Sequence, residues 1–186
     1  MPLALICPPQ RRLSALFFFI VYFLNNQLTF NLMGQSLSQL YVHLIFGTKN
    51  RYPFISDIIE IELHKYISEI LDNYESPALK INSVPDHIHI LFRLSKKYTL
   101  IQVVEEAKKH SSKWMKSKGI DGFTWQIGYG AFSVSSSQIE IVSNYIINQK
   151  EHHKTISFKD EVENFMKKHQ IAELIQNIFG YNNQGY

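Results

Sequence analysis

Two histidines stand one residue apart in the run Val84-Pro85-Asp86-His87-Ile88-His89-Ile90-Leu91-Phe92-Arg93-Leu94. The alternation of apolar and polar residues predicts a β-strand. Side chains on a strand point to alternate faces, so Val84, Ile88, Ile90, Phe92 and Leu94 share one side while His87, His89, Leu91 and Arg93 share the other. Two imidazoles at i and i+2 project in parallel, which is the geometry a shared metal ion needs. The pair by itself suits a structural or surface role equally well. A further histidine, His43, lies on the polar side of another predicted strand, and a tyrosine and a glutamine, Tyr145 and Gln149, are spaced to lie side by side on a helix. A tyrosine in such a place is by default a packing residue.

The elements that must position these groups are legible from periodicity. Leu40, Val42, Leu44 and Phe46 alternate with Gln39, Tyr41, His43 and Ile45 in a first strand, and Gly47 to Pro53 forms a basic loop. Ser56 or Asp57 caps a helix whose buried stripe is Ile59, Leu63, Tyr66, Ile67, Ile70 and Tyr74. Ala78 to Val84 reads as a second strand, Pro85-Asp86 as a tight turn or bulge, and the histidine run as a third. Thr99 to Gln102 has the form of a capping box, opening a helix that Gly119 ends. Lys108, Lys109, Lys113 and Lys116 crowd the outer surface of this helix, as a solvated face or a surface that tracks phosphates. Residues 123–134, aromatic with two glycines, suggest a strand with a kink or loop before Phe132. Ser137 to Glu140 repeats the capping-box pattern before the helix of Tyr145, and a polar helix follows from about Ser157 to Gln170. The order is that of an α+β, ferredoxin-like (RRM-like) βαββαβ sandwich: an antiparallel sheet with helices on one face, the histidine face left open, and a further helix bearing Tyr145.

With 186 residues and 45% hydrophobic content the chain suits one ordinary core. The formal net charge is +3, but Arg11 and Arg12 precede residue 33 and no acidic residue does, so the rest carries 17 basic against 16 acidic side chains. Nucleic-acid binding must then come from local patches and not from the whole molecule. The single cysteine, Cys7, cannot form an internal disulfide. Residues 1–32 stand apart, with an apolar run from Leu13 to Leu24 and no clear cleavage site after it. They read as a targeting segment, a membrane-surface anchor, or extra sequence ahead of a start at Met33; the last is the reading adopted, with no stable membrane association and a cytoplasmic location. The domain is then 33–170, and 171–186 is a tail.

Pro85-Asp86-His87-Ile88-His89-Ile90-Leu91, followed by Tyr145-Ile146-Ile147-Asn148-Gln149, resembles the histidine-hydrophobe-histidine (HUH) motif and nucleophile helix of the single-tyrosine transposases of the insertion-sequence 200/605 type. Ser36 to Arg51 and Gly128 to Val134 resemble that family too, and the likeness spans about residues 34–165. The resemblance implies a DNA strand transferase that cleaves and rejoins single-stranded ends of a mobile element through a covalent 5′-phosphotyrosine. It implies Tyr145 as nucleophile, and His87, His89 and Gln149 as ligands of one divalent ion, Mg²⁺ or Mn²⁺. It also implies single-stranded DNA with subterminal hairpins as partner, and a homodimer with active sites shared between subunits. Lys49, Arg51, Arg93, Lys108, Lys109 and Lys113 are candidate phosphate contacts, with Tyr41 and His43 contacting bases or supporting the site. A metal-dependent hydrolase on a (β/α) barrel needs more chain and more ligands than are present. A domesticated relative that binds hairpins without cutting is the alternative function.

Overall fold

In the computed structural model the described residues are 37–169, and the chain divides into two units at Leu37/Ser38. The second unit holds every element below. The extension at 1–32 and the tail at 171–186 lie outside the described residues.

Strand β1 (Leu40–Gly47) leads through a turn at Lys49–Arg51 to helix α1 (Asp57–Asn73), the hairpin β2 (Ala78–Val84) and β3 (His87–Leu94), helix α2 (Leu100–Ser117) and β4 (Gly130–Val134). The sheet order is β2-β3-β1-β4 and every pairing is antiparallel. This is the expected βαββαβ arrangement. Three short helices follow: α3 (Ile139–Ile147), α4 (Gln149–His152) and α5 (Phe158–Lys168).

The even-numbered residues of β1 and β3 build the main core. Val42, Leu44, Phe46, Ile88, Ile90 and Phe92 are buried against Leu63, Ile67 and Leu71 of α1 and Val103, Val104 and Ala107 of α2. Helix α2 begins at the predicted capping box: Gln102 N–H donates to Thr99 Oγ1 (3.3 Å), and Thr99 N–H donates to Gln102 Oε1 (2.9 Å). Gly119, at φ +83°, ends it in the left-handed conformation that glycine adopts without steric cost. Phe92 is fully buried at the centre of this layer. Phe92→Ala is expected to lower unfolding free energy by about 3–5 kcal/mol, measured by urea denaturation.

Three local expectations change. Only Gly130–Val134 of the aromatic stretch is strand. Before Gly130 the stretch is loop apart from one antiparallel bridge between Trp125 and Thr48, and the Trp125 ring turns inward, its Nε1–H donating to Ser111 Oγ on α2 at 2.9 Å. The capping box at Ser137 does not form: Ser136–Gln138 is a 3-10 turn, and α3 starts at Ile139 without a side-chain cap. The histidine face is also not open, because the C-terminal helices lie over it. Ile45 and Phe132 on that face pack with Phe158, Val162 and Met166 of α5. An apolar stripe on α5 finds its partner there, which closes a second, smaller core over the histidines.

Candidate active site

Register places the chemistry. Ile45 stands opposite His89, Gly47 opposite His87, and Phe132 opposite His43. Directly paired residues share a face, so three histidines converge there. All three are buried, His89 completely. His43 Nε2 and His89 Nδ1 are 2.9 Å apart, and His87 Nδ1 is 2.8 Å from Asp86 Oδ1.

Asp86 sits in the β2–β3 turn and is ion-paired with Arg51 at 2.6 Å. Arg51 Nη2 is also 3.0 Å from His87 Nδ1. A ring nitrogen that donates to a carboxylate cannot also accept from a guanidinium, so the shorter, charge-assisted contact with Asp86 sets the tautomer. His87 then turns its Nε2 lone pair into the site. Arg51 adopts φ +58° directly after Asn50 at φ +57°, two left-handed residues in succession. Such conformations persist only where surroundings fix them. Here the guanidinium is held by Asp86 and by the Phe158 ring, whose centroid is 3.5 Å from Cζ. Gly47 leaves it space: a Cβ there would lie 2.7 Å from Arg51 Nη1.

Helix α3 brings Tyr145. Asn82 on β2, on the same sheet face as its partner His89, donates through Nδ2 to the carbonyls of Ile146 (2.7 Å) and Ile147 (3.1 Å). This side chain fastens the last turn of α3 to the histidine face. The helix stops there, and Gln149 opens α4 after a break at Asn148, so Tyr145 and Gln149 do not share one continuous helix. Gln149 is completely buried, and neither its Oε1 nor its Nε2 has a hydrogen-bond partner among the described residues. An amide in that condition costs about 1–3 kcal/mol unless something binds it. An unpartnered amide oxygen of this kind is a group that can ligate a cation.

Two residues that the sequence did not bring forward join the cluster. Glu161 of α5 lies 3.6 Å from His87 Nε2, 3.5 Å from His89 Nε2 and 3.2 Å from His153 Nε2, and it accepts the Tyr145 hydroxyl proton in a hydrogen bond. His153 Nε2 is 3.0 Å from His87 Nε2. A signal for Glu161 was available, since it falls on the stripe of Phe158, Val162 and Met166, where a carboxylate is out of place unless it has partners.

Electrostatics follow from burial. Desolvation lowers the His89 pKa to about 4 and takes His43 well below its ordinary value, so both rings are neutral at pH 7. For Glu161, burial alone pushes the carboxyl up, but the imidazoles of His153, His87 and His89 gathered around it outweigh burial and hold the group far below the usual carboxylate range. Burial, then the charge and hydrogen bond of Glu161, raise the Tyr145 phenol above its ordinary value. In this arrangement Tyr145 is held protonated.

These shifts set a pH dependence. An unfolded chain takes up a proton at His89 near pH 6.5 that the native chain refuses until about pH 4, so stability rises with pH across that window. The depressed Glu161 and Asp86 carboxyls lose their contribution only at lower pH. From His89 alone metal-free protein is therefore expected to lose roughly 1–2 kcal/mol between pH 7 and pH 5, and His43 adds to the loss in the same direction. Thermal melts in EDTA check this.

The candidate DNA contacts fall in different places. Lys49 and Arg93 are exposed, Arg93 on the histidine-bearing side of β3. Arg51 is tied into the site as described. Lys108 Nζ donates to the carbonyls of Gln126, Ile127 and Gly128 at 2.7–3.0 Å, and Lys109 pairs with Glu106. Lys113 is exposed. These last three are on α2, which packs on the sheet face opposite the histidines.

A family model described as "Transposase IS200 like" matches residues 36–149. The chain belongs to that family, the single-tyrosine HUH transposases of the insertion-sequence 200/605 type. Among solved structures it is similar to one described as a "putative transposase" from Deinococcus radiodurans R1, at 23% identity and a TM-score of 0.50, covering 62% of this chain and 95% of that one. A REP-associated tyrosine transposase bound to a REP hairpin matches at 14% identity and a TM-score of 0.48, over 67% and 76% of the two chains. A search of curated proteins gives no match. No helix among the described residues is long and apolar enough to cross a membrane.

Proposed function

We propose that this transposase cleaves and rejoins single-stranded ends of a mobile element with Tyr145 as nucleophile. The observation that carries the reading is the meeting of Tyr145 with His87 and His89 around one carboxylate, in a chain whose family match includes all three residues and Gln149. Tyr145 gives up its phenol proton to solvent, and its Oη forms a bond to the scissile phosphorus as the bond to the 3′ oxygen breaks. The products are a 5′-phosphotyrosine and a 3′-hydroxyl, which takes up a proton as it leaves. Because the phosphodiester energy stays in the tyrosine link, a 3′-hydroxyl from another end can reverse the step and join new strands.

His87, His89 and Gln149 would hold Mg²⁺ or Mn²⁺, the imidazole ligands favouring manganese. A bound dication supplies Lewis-acid neutralisation of charge on the non-bridging oxygens. Asp86 and His43 fix the rings of His87 and His89, and Asn82 fixes the helix of Tyr145. The tyrosine must leave Glu161 before it reacts, since the carboxylate stabilises the phenol over the phenolate. Exposed Lys49 and Arg93 are the phosphate contacts this reading favours, with DNA hairpins near the element ends as the partner. A homodimer supplies two tyrosines for two ends, and the cytoplasm, where the DNA is, is the place of action.

The test is incubation of purified protein with a labelled single-stranded oligonucleotide carrying its own element's end, with Mn²⁺ or Mg²⁺. A metal-dependent, detergent-resistant protein–DNA adduct is expected. Hairpin binding without any adduct would instead establish a DNA-binding relative that has lost its chemistry.

A further inference from the structure

His87, His89, His153 and Glu161 each offer one ligand atom, and all four atoms lie within 4.8 Å of one another. His87 Nε2, His153 Nε2 and Glu161 Oε2 are 3.0, 3.2 and 3.6 Å apart, and the other carboxylate oxygen, Oε1, is 3.5 Å from His89 Nε2. Ligands about 2.0–2.2 Å from a tetrahedral ion stand about 3.3–3.6 Å apart, so these edges are close to those of a coordination shell. Two of the atoms have no hydrogen-bond partner among the described residues, His89 Nε2 and Glu161 Oε2, and both residues are at least 98% buried. The lone pairs are also oriented for the purpose. Asp86 accepts a hydrogen bond from Nδ1–H of His87, and His43 faces Nδ1 of His89, which leaves both Nε2 atoms directed at Glu161. A carboxylate or second ring behind each ligating imidazole is the arrangement metal centres use to fix tautomer and ring angle.

We infer that His153 and Glu161 are metal ligands, completing with His87 and His89 a closed four-coordinate site of three imidazoles and one carboxylate. This deepens the proposed function by rebuilding its metal site. Both added ligands lie beyond residue 149, where the family match ends. The donor set suits a borderline transition-metal dication, Zn²⁺, Co²⁺ or Mn²⁺, and discriminates against Mg²⁺, which prefers an octahedral shell of oxygens. Four protein ligands leave no position for a substrate phosphate, so this is a resting site, and the same carboxylate that closes it holds the Tyr145 hydroxyl. Opening requires α5 to withdraw Glu161, which frees a coordination position and the nucleophile together.

Cobalt titration of the full chain, followed by visible absorption and calorimetry, tests the inference. Wild-type protein is expected to bind one Co²⁺ with the intense bands of four-coordinate cobalt. Glu161→Gln and His153→Ala should each weaken binding at least about tenfold and replace those bands with the faint spectrum of six-coordinate cobalt. Wild-type affinity and spectrum in both variants would overturn the proposal. If His87→Ala then still abolished binding, the metal site of the proposed function would stand without its added ligands; if it too had no effect, both would fall. Should Glu161→Gln fail to fold, judged by circular dichroism, His153→Ala decides the matter, since that ring is partly exposed.

Discussion

Tyr145→Phe is expected to abolish covalent attachment of DNA, lowering adduct formation by at least about 10³-fold, which is about 4 kcal/mol of transition-state stabilisation. Phenylalanine retains the ring contacts that Tyr145 makes with His43, His89, His152 and Phe165, so α3 should stay in place. What disappears is the one oxygen that can bond to phosphorus. The hydroxyl also donates to Glu161, and losing a hydrogen bond to a buried acceptor costs about 1–3 kcal/mol of stability. Three imidazoles remain around that carboxylate, which puts the cost at the lower end. Denaturing gels of labelled oligonucleotide with wild-type and variant protein make the measurement, and melting curves show that the fold survives. An adduct that persists in the variant would move the nucleophile elsewhere. Cobalt binding should be unchanged, because the ligands inferred for the ion are His87, His89, His153 and Glu161, and the variant keeps all four.

The second large effect is expected from His87→Ala combined with His89→Ala, which should weaken Mn²⁺ binding at least about 100-fold and remove cleavage with it. Both readings of the metal centre include these rings, so this variant tests what they share. Removing them leaves Glu161, itself buried, with His153 and Tyr145 as its remaining partners. A buried carboxylate that loses partners costs several kcal/mol, so some loss of thermal stability should accompany the loss of metal. Calorimetric titration with Mn²⁺ separates the two, provided the variant is folded at the temperature used. Unchanged affinity would remove the histidine pair from the metal site altogether.

The sequence by itself determined the order of elements, the parity of the histidine strand and the cap of α2. Each rests on short-range physics: alternation across a pleat, helical spacing, and side-chain oxygens within reach of backbone N–H groups three residues away. The same locality explains the misses. Ser137 has its hydroxyl 3.0 Å from Ser135 Oγ and the helix after it starts without a side-chain cap, and the aromatic stretch before Gly130 keeps only a single bridge beyond β1, Trp125 to Thr48, while the Trp125 ring reaches Ser111. The nearness of Tyr145 to Gln149 was legible in their spacing, but the break at Asn148 was not, because it accompanies a clasp from Asn82, more than sixty residues earlier. Only the tertiary structure decided that the histidine face is covered, that Arg51 and Asp86 orient His87, and that His153 and Glu161 enter the cluster. Those contacts join residues far apart in the chain, and no periodicity records a partner that the folding of α5 onto the sheet alone supplies.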